Sequence, residues 1–189
     1  MSDEKSILRQ EALRHRARLD PASEAVERAV EQFFTTVNPA PGQSIAGYWP
    51  TEREFDPRPV LFEALQRGYV CGLPAVMKGS KILRFLRWQE NTDLAKGVHG
   101  IFEPPAESAT IEPDIVLVPL LAYDRRGYRL GYGGGYYDAT LADLRARKPL
   151  LAVGMAYAQQ ACLFPLPAEA HDQRLDLVIT PQGAQDFRN

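Results

Sequence analysis

With 189 residues, 45% of them hydrophobic and 24% charged, the chain has apolar material for one sizeable core and little length for a second. Its 22 Lys and Arg against 24 Asp and Glu leave a net charge of -2, so no global field draws it onto nucleic acid or anionic lipid. Cys71 and Cys162 form no metal or disulfide spacing, no apolar run is long enough to cross a bilayer, and the acids in "MSDEKSILRQE" are unlike a secretory signal. A cytoplasmic protein is expected.

Ser2 or Asp3 can cap a first helix running to about Arg18, on which Lys5, Arg9, Ala12 and Arg16 recur at spacings of four, three and four. They share one basic face, while Ile7, Leu8 and parts of the other side are expected to meet the body. "LDPASEAVERAVEQFFTTV" offers Asp20 as a cap, Pro21 at the first helical position, and apolar residues at helical spacing through Phe33 and Phe34. "NPAPGQS" ends that helix. "IAGYW" at 45–49 reads as a strand stopped by Pro50. A helix from Pro59 to Arg67, closed by Gly68, and the strand "YVCGLPAV" then complete a βαβ pattern.

"ILRFLRW" at 82–88 is a third strand, and residues 89–110, rich in Asn, Gly and Pro, read mostly as loop. "DIVLVPLLAY" is nearly unbroken in its apolar character, which predicts a strand buried on both faces of a parallel sheet. A helix to about Arg147, the strand "LLAVGM", a short helix near Tyr157 to Leu163 and the strand "LDLVIT" follow. This alternation predicts a single three-layer α/β domain over 1–189, with a mostly parallel central sheet and helices on both faces.

The stretch "RLGYGGGYYD", Arg129 to Asp138, lies between the buried strand and the next helix. Ligands in open α/β sheets collect beyond the carboxyl ends of strands, and a glycine path lets backbone N–H groups approach an anion. The stretch has no lysine, so it is not a Walker A loop, and Tyr136 stands where the Rossmann pattern needs its last glycine. Two readings stay open on pattern alone: an anion cradle, or a tight turn needing positive φ. Arg129 can fork onto phosphate oxygens or be a solvated loop residue. Tyr132 can meet a flat ligand ring, Tyr137 can anchor the loop by packing, and Asp138 can complement the helix dipole or bind Mg²⁺ beside a triphosphate.

"DRRGYRLGYGGGYYDATL" closely resembles the signature of the 5-formyltetrahydrofolate cyclo-ligase, or methenyltetrahydrofolate synthetase, family. "KSILRQEALRHR", "GYWPTEREFDPRPV", "EPP", "DIVLVPLLAYD", "AYAQQ" and "HDQRLDLVIT" resemble its other blocks in the same order, across nearly the whole chain. The resemblance implies a three-layer α/β fold and conversion of 5-formyltetrahydrofolate and ATP into 5,10-methenyltetrahydrofolate, ADP and phosphate, with Mg²⁺ required. A formamide oxygen leaves poorly. Moving the γ-phosphoryl onto it lets the neighbouring amine close the ring before phosphate departs, so catalysis is mainly alignment and charge neutralisation.

Residue by residue, the resemblance makes Lys5 and Arg9 ligands of the ATP phosphates, with Lys5 and Arg129 acting on the transferring group. Arg129, Leu130, Gly131, Tyr132, Gly133, Gly134, Gly135, Tyr136 and Tyr137 resemble the nucleotide loop, in which Tyr132 to Tyr136 also face the folate. Glu54 resembles the carboxylate that holds the pterin, with Trp49 as the apolar wall, and Asp138 and Asp172 resemble the Mg²⁺ carboxylates. Without the resemblance Glu54 is a surface acid, Trp49 a strand-end core residue, and Asp172 part of an exposed turn. Glu52 and Asp56 are the alternatives if the local match slips by two.

Arg16 is left as solvated or structural, His171 as a residue positioning Asp172, and Arg84, Phe85 and Trp88 as either a packed strand or a ligand-side block. Tyr132 followed by three glycines departs from members with Phe or an arginine-containing variant in this loop. The folate, polyglutamylated or not, is the expected partner of a monomer that binds neither nucleic acid nor membrane. Competing readings are a diverged ATP-dependent phosphoryl-transfer enzyme and a non-catalytic nucleotide or folate sensor. An RNA-binding role for "LRHRAR" finds no basic footprint or stacking platform to support it.

Overall fold

The apolar segment anticipated around Ile115 forms a strand whose four residues are all buried, since both faces of its sheet are covered. The structure is a computed structural model that describes residues 3–19, 25–51 and 53–188. In chain order its helices are α1 (Asp3–Arg16), α2 (Val26–Thr36), α3 (Arg58–Gln66) and α4 (Tyr136–Arg147). The strands are β1 (Ser44–Ala46), β2 (Val70–Ala75), β3 (Arg84–Trp88), β4 (Ala95–Lys96), β5 (Phe102–Glu103), β6 (Thr110–Ile111), β7 (Ile115–Val118), β8 (Ala122–Tyr123), β9 (Arg129–Leu130), β10 (Leu151–Met155), β11 (Leu177–Thr180) and β12 (Gly183–Asp186).

The main sheet has eight strands in the order β12-β11-β10-β7-β1-β2-β3-β6. Its five central strands are parallel, while β12 on one side and β3 and β6 on the other join antiparallel. Side chains alternate across it. Ile45, Ile115, Leu117, Val153, Met155, Leu177 and Ile179 enter one apolar cluster with Ala29 and Phe33 of α2 and Leu61 of α3. Val116, Val118, Ala152 and Val178, the intervening residues, enter the other with Leu141 and Leu144 of α4. Three layers result.

From β1 the chain moves outward to β2 and β3, and from β7 it moves the opposite way to β10 and β11. The order therefore reverses between β1 and β7, and the crevice beyond their carboxyl ends is where such sheets take ligands. The segment Gly47 to Phe55 leaves from one of these ends. The hairpin β8–β9, followed by the glycine stretch, leaves from the other.

Several boundaries differ from the sequence expectation. α1 stops at Arg16 rather than Arg18, and Ser2, Asp20 and Pro21, offered as caps or first turn, lie outside the described residues. α2 opens at Val26 without a side-chain cap. β1 ends at Ala46 instead of Trp49, and the helix expected over Tyr157 to Leu163 is only the 3₁₀ turn Ala158–Gln160. Residues 89–110 hold the β4–β5 ribbon, a 3₁₀ turn at Val98–Gly100 and β6. β12 was not anticipated because its burial is mostly exposed and its residues, "GAQD", carry no apolar alternation.

Candidate active site

The basic face of α1 turns inward. Lys5 and Arg16 are 5% and 6% exposed, whereas Ile7 and Leu13 are 58% and 41% exposed, the reverse of what hydropathy predicts for Ile7. The reason is the surface beneath it. Leu8 and Ala12 cover a small apolar cluster of Ala122, Leu130 and Leu166, and on the same approach lie carboxylates and a loop carbonyl that the α1 cations satisfy. Lys5 Nζ stands 2.6 Å from Asp172 Oδ2 and 3.1 Å from Glu169 Oε2. Arg9 Nε donates to the Gly131 carbonyl at 2.9 Å, and its buried Nη1 has no hydrogen-bond partner. Arg16 donates to the Tyr132 hydroxyl and lies 5.3 Å from the centre of that ring, so it is structural rather than solvated.

Burial disfavours the Lys5 ammonium, but its bonds to Asp172 and Glu169 outweigh that and raise its pKa. In Asp172 burial pushes upward, and the bonds from Lys5 and the Glu169 amide hold the carboxyl below its ordinary value. The turn 169–172 is thereby fixed to α1.

Arg129 is not a solvated loop residue: its side chain is 4% exposed. Nη2 donates to Asp138 Oδ1 at 2.8 Å and Nη1 to the Gln173 carbonyl at 2.6 Å, while the Gln173 amide reaches the same Oδ1 at 2.9 Å. Burial lowers the arginine's pKa, and the Asp138 charge opposes that shift. β9, the first turn of α4 and the turn carrying Asp172 are thus tied through one guanidinium.

Between them the glycines meet the tight-turn reading left open by the sequence. Gly133 and Gly135 have φ of 95° and 73°, which a side chain tolerates poorly, so a tight turn is required. Gly135 also N-caps α4 without any side-chain bond, and the N-terminal end of a helix is where an anion is favoured. A Cβ at Gly133 would stand 3.5 Å from the Arg9 guanidinium. Tyr137 is partly buried and packs against the cluster under α4, as its packing reading requires, while its buried hydroxyl has no hydrogen-bond partner.

Glu54 faces this loop from the opposite side. It accepts the Thr51 amide at 2.7 Å and a bond from the Tyr132 hydroxyl, and after burial its charge is the main influence raising the pKa of Tyr132 and Tyr137. Trp49 lies half-buried, edge-on to Trp88 at 6.1 Å and to Phe102 at 6.3 Å, with the Arg58 guanidinium 5.1 Å from its ring. Asp56 is committed elsewhere, holding Arg58 at 2.6 Å and its amide at 2.9 Å to open α3. Glu52 lies outside the described residues. Arg53, beside Glu54, has φ of 68° and donates to the Ala17 carbonyl, so the segment is strained into position.

Asp138 and Asp172 sit on either side of Gln173, and Glu169, His171 and Asp172 place their ligand atoms within 4.8 Å of one another. His171 stays exposed. Phe85 and Trp88 are buried, as a packed strand requires, and Arg84 donates to the Ala106 carbonyl. One structural residue was missed. Asp124, 1% exposed at its side chain, accepts the amides of Arg126 at 2.9 Å, Tyr128 at 3.1 Å and Leu166 at 2.9 Å, as well as the Arg126 guanidinium. The "YDRRGY" turn was its signal, an acid whose carboxylate caps the following amides.

The model of the 5-formyltetrahydrofolate cyclo-ligase family matches residues 1–181. A 5-formyltetrahydrofolate cyclo-ligase of Mycolicibacterium smegmatis is 31% identical over 185 residues, covering 94% of each chain. One from Haemophilus influenzae is 29% identical over 162 residues, 82% of this chain and 86% of that one. Among solved structures, the 5,10-methenyltetrahydrofolate synthetase of Aquifex aeolicus superposes with a TM-score of 0.79 at 29% identity, over 98% of this chain and 93% of that one. No described helix is long and apolar enough to cross a membrane.

Proposed function

The chain belongs to the 5-formyltetrahydrofolate cyclo-ligase family, and from that premise we infer that it closes 5-formyltetrahydrofolate to 5,10-methenyltetrahydrofolate at the glycine loop, converting ATP to ADP and phosphate. The observation that carries this reading is the clustering of three buried or half-buried cations about one glycine loop: Arg9 bonds the Gly131 carbonyl, Arg129 opens the loop, Lys5 shares the inward face of α1 with Arg9, and Glu54 faces Tyr132. Three separate segments supply these groups. Such a loop suits a triphosphate, and the carboxylate opposite suits the amino and ring N–H donors of a pterin.

Lys5, Arg9 and the N–H groups at Gly135 and the start of α4 would hold the phosphates, with Arg129 beside the group in transfer. The γ-phosphoryl passes to the formyl oxygen as its bond to ADP breaks; the neighbouring substrate amine then attacks the activated carbon, loses its proton, and phosphate leaves with the former formyl oxygen. No protein nucleophile is needed. Leu130 is buried beneath the loop, so it contributes backbone rather than side chain. Glu54, Trp49 and Tyr132 to Tyr136 form the folate side, and the alignment of the two reactants is the larger part of the rate.

Asp138 and Asp172 would hold Mg²⁺. Both bonds to Asp138 fall on one of its oxygens, and Asp172 with Glu169 adds an oxygen-rich donor set of the kind this ion prefers. Bound there, the ion would neutralise charge on the phosphates. The protein is read as a monomeric single domain over 1–189 in the cytoplasm, taking the folate with or without a polyglutamate tail.

The test is absorbance in the methenyltetrahydrofolate band, with purified protein, 5-formyltetrahydrofolate and Mg²⁺, on adding ATP. An ATP-dependent rise is expected. A flat trace from folded, ATP-binding protein would overturn the reading in favour of a diverged phosphoryl-transfer enzyme or a sensor.

A further inference from the structure

The glycine stretch holds no lysine, yet the fold brings one to it. Lys81, on the loop between β2 and β3, places its ammonium 3.7 Å from where a Cβ on Gly135 would stand, and its Cδ at 3.9 Å. Gly135 is the N-cap of α4 and carries no side-chain cap bond, so the ammonium lies at the N-terminal end of that helix. Two like-signed features, a cation and the positive end of a helix, have been set together, and an anion between them relieves the repulsion.

The placement is built. The Leu83 amide donates to Thr140 Oγ1 at 2.8 Å, and that hydroxyl donates to the Tyr136 carbonyl at 2.6 Å, so a 1% exposed threonine pins the β2–β3 loop onto the first turn of α4. The Ser80 amide on the Met77 carbonyl at 3.1 Å, and the Ile82 amide on Ser80 Oγ at 2.9 Å, order the turn that carries Lys81. The other cations at the loop have protein partners: Lys5 with Asp172 and Glu169, Arg129 with Asp138, Arg16 with Tyr132, and Arg9, through Nε alone, with Gly131. Lys81 is exposed and, among the described residues, has neither a hydrogen bond nor an ion pair.

We propose that Lys81 is a second lysine of this phosphate site beside Lys5, reaching from the β2–β3 loop to the terminal phosphate oxygens of the bound nucleotide at the N-terminus of α4. It supplies the point charge that a phosphate loop of the Walker type carries in its own sequence, here delivered from a different element. The proposal rests on the reading of the glycine loop as the ATP site. Because Lys81 is exposed, its loss removes charge without removing core.

The experiment uses the full chain and two readouts, ATP affinity by titration calorimetry with Mg²⁺ and the absorbance assay above. Lys81→Ala is expected to weaken ATP binding and to lower kcat/KM for ATP by about tenfold to a hundredfold, at an unchanged melting temperature. Lys81→Arg should recover most of both, whereas Lys78→Ala, an exposed lysine on the same loop, should stay within about twofold of the parent. Parental ATP affinity in Lys81→Ala overturns the proposal, and so does an equal loss in Lys78→Ala, which would mark a general field rather than a contact. A flat absorbance trace from the parent protein sinks the cyclo-ligase reading alone, since calorimetry still decides whether Lys81 meets the nucleotide.

Discussion

Helices α1 and α2 both lie against the body of the molecule, and they hold to it by opposite means. α2 buries Ala29, Phe33 and Phe34 on the sheet, an interface of area and shape. α1 buries Lys5 and Arg16, leaves Ile7 and Leu13 outside, and grips a carboxylate pair, a glycine carbonyl and a tyrosine hydroxyl. An apolar interface is indifferent to ligands. A helix docked through cations shares those cations with any anion that enters, so α1 belongs to the site as much as to the fold.

The largest effect should come from the apolar side. Phe33 is fully buried and edge-on to Phe34 at 5.1 Å, so Phe33→Ala is expected to lose about 3–5 kcal/mol in a denaturant melt while kcat per folded molecule holds. Arg129→Ala should do the reverse in kind: kcat falls on the order of 10²–10³, about 3–4 kcal/mol, because charge stabilisation of the transferring phosphoryl is gone. Its kinetics should be read at full folding, since Asp138 also loses its partner. An unchanged kcat would remove Arg129 from the chemistry, and a fallen kcat in Phe33→Ala would show that the two sides are not separable.

That division also governs what the sequence disclosed. β7 was legible because Ile115 to Val118 are apolar at every position, a pattern left only by burial on two faces. α2 was legible through Phe33 and Phe34, and the glycine loop through its composition. The orientation of α1 was not. Hydropathy ranks Ile7 above Lys5 for burial, and nothing near residue 5 reveals that Glu169 and Asp172 lie opposite it. The antiparallel turn of β3 was hidden for a similar reason: its partners, β2 and β6, are set by chain direction after loops whose composition carries no register. Lys81 reads in sequence as one of two surface lysines on its loop. Only the Leu83 to Thr140 bond shows which helix end it reaches.

Between the two helices in effect stands the hairpin on which α1 rests. Asp124 fixes it with three backbone amides, and the bonds from Arg126 and those amides outweigh burial to hold its carboxyl below the ordinary value. Asp124→Asn should therefore destabilise by about 1–3 kcal/mol at neutral pH. The sign follows from the depressed folded pKa: the contribution is present above the unfolded value, about 3.9, and is lost as pH falls through the folded one. Melting temperatures of parent and variant should thus converge in acid below about pH 4. A constant gap across that range would show that the carboxylate charge plays no part.

The smallest effect is the sharpest test of the inverted helix. If α1 packed as its hydropathy suggests, Ile7 would be core, and Ile7→Gln would forfeit its buried area and leave an amide unpaired, about 2 kcal/mol or more. In the observed orientation Ile7 is 58% exposed and the glutamine meets solvent. Glutamine is also an equal or better helix former than isoleucine, so stability should stay within about 0.5 kcal/mol of the parent, with ATP affinity unmoved. Lys5→Met, an apolar residue of similar length, is the complementary change: it leaves Asp172 and Glu169 without their cation and should weaken ATP binding even where the helix stays docked. A silent Lys5→Met beside a damaging Ile7→Gln would mean that α1 lies the other way round.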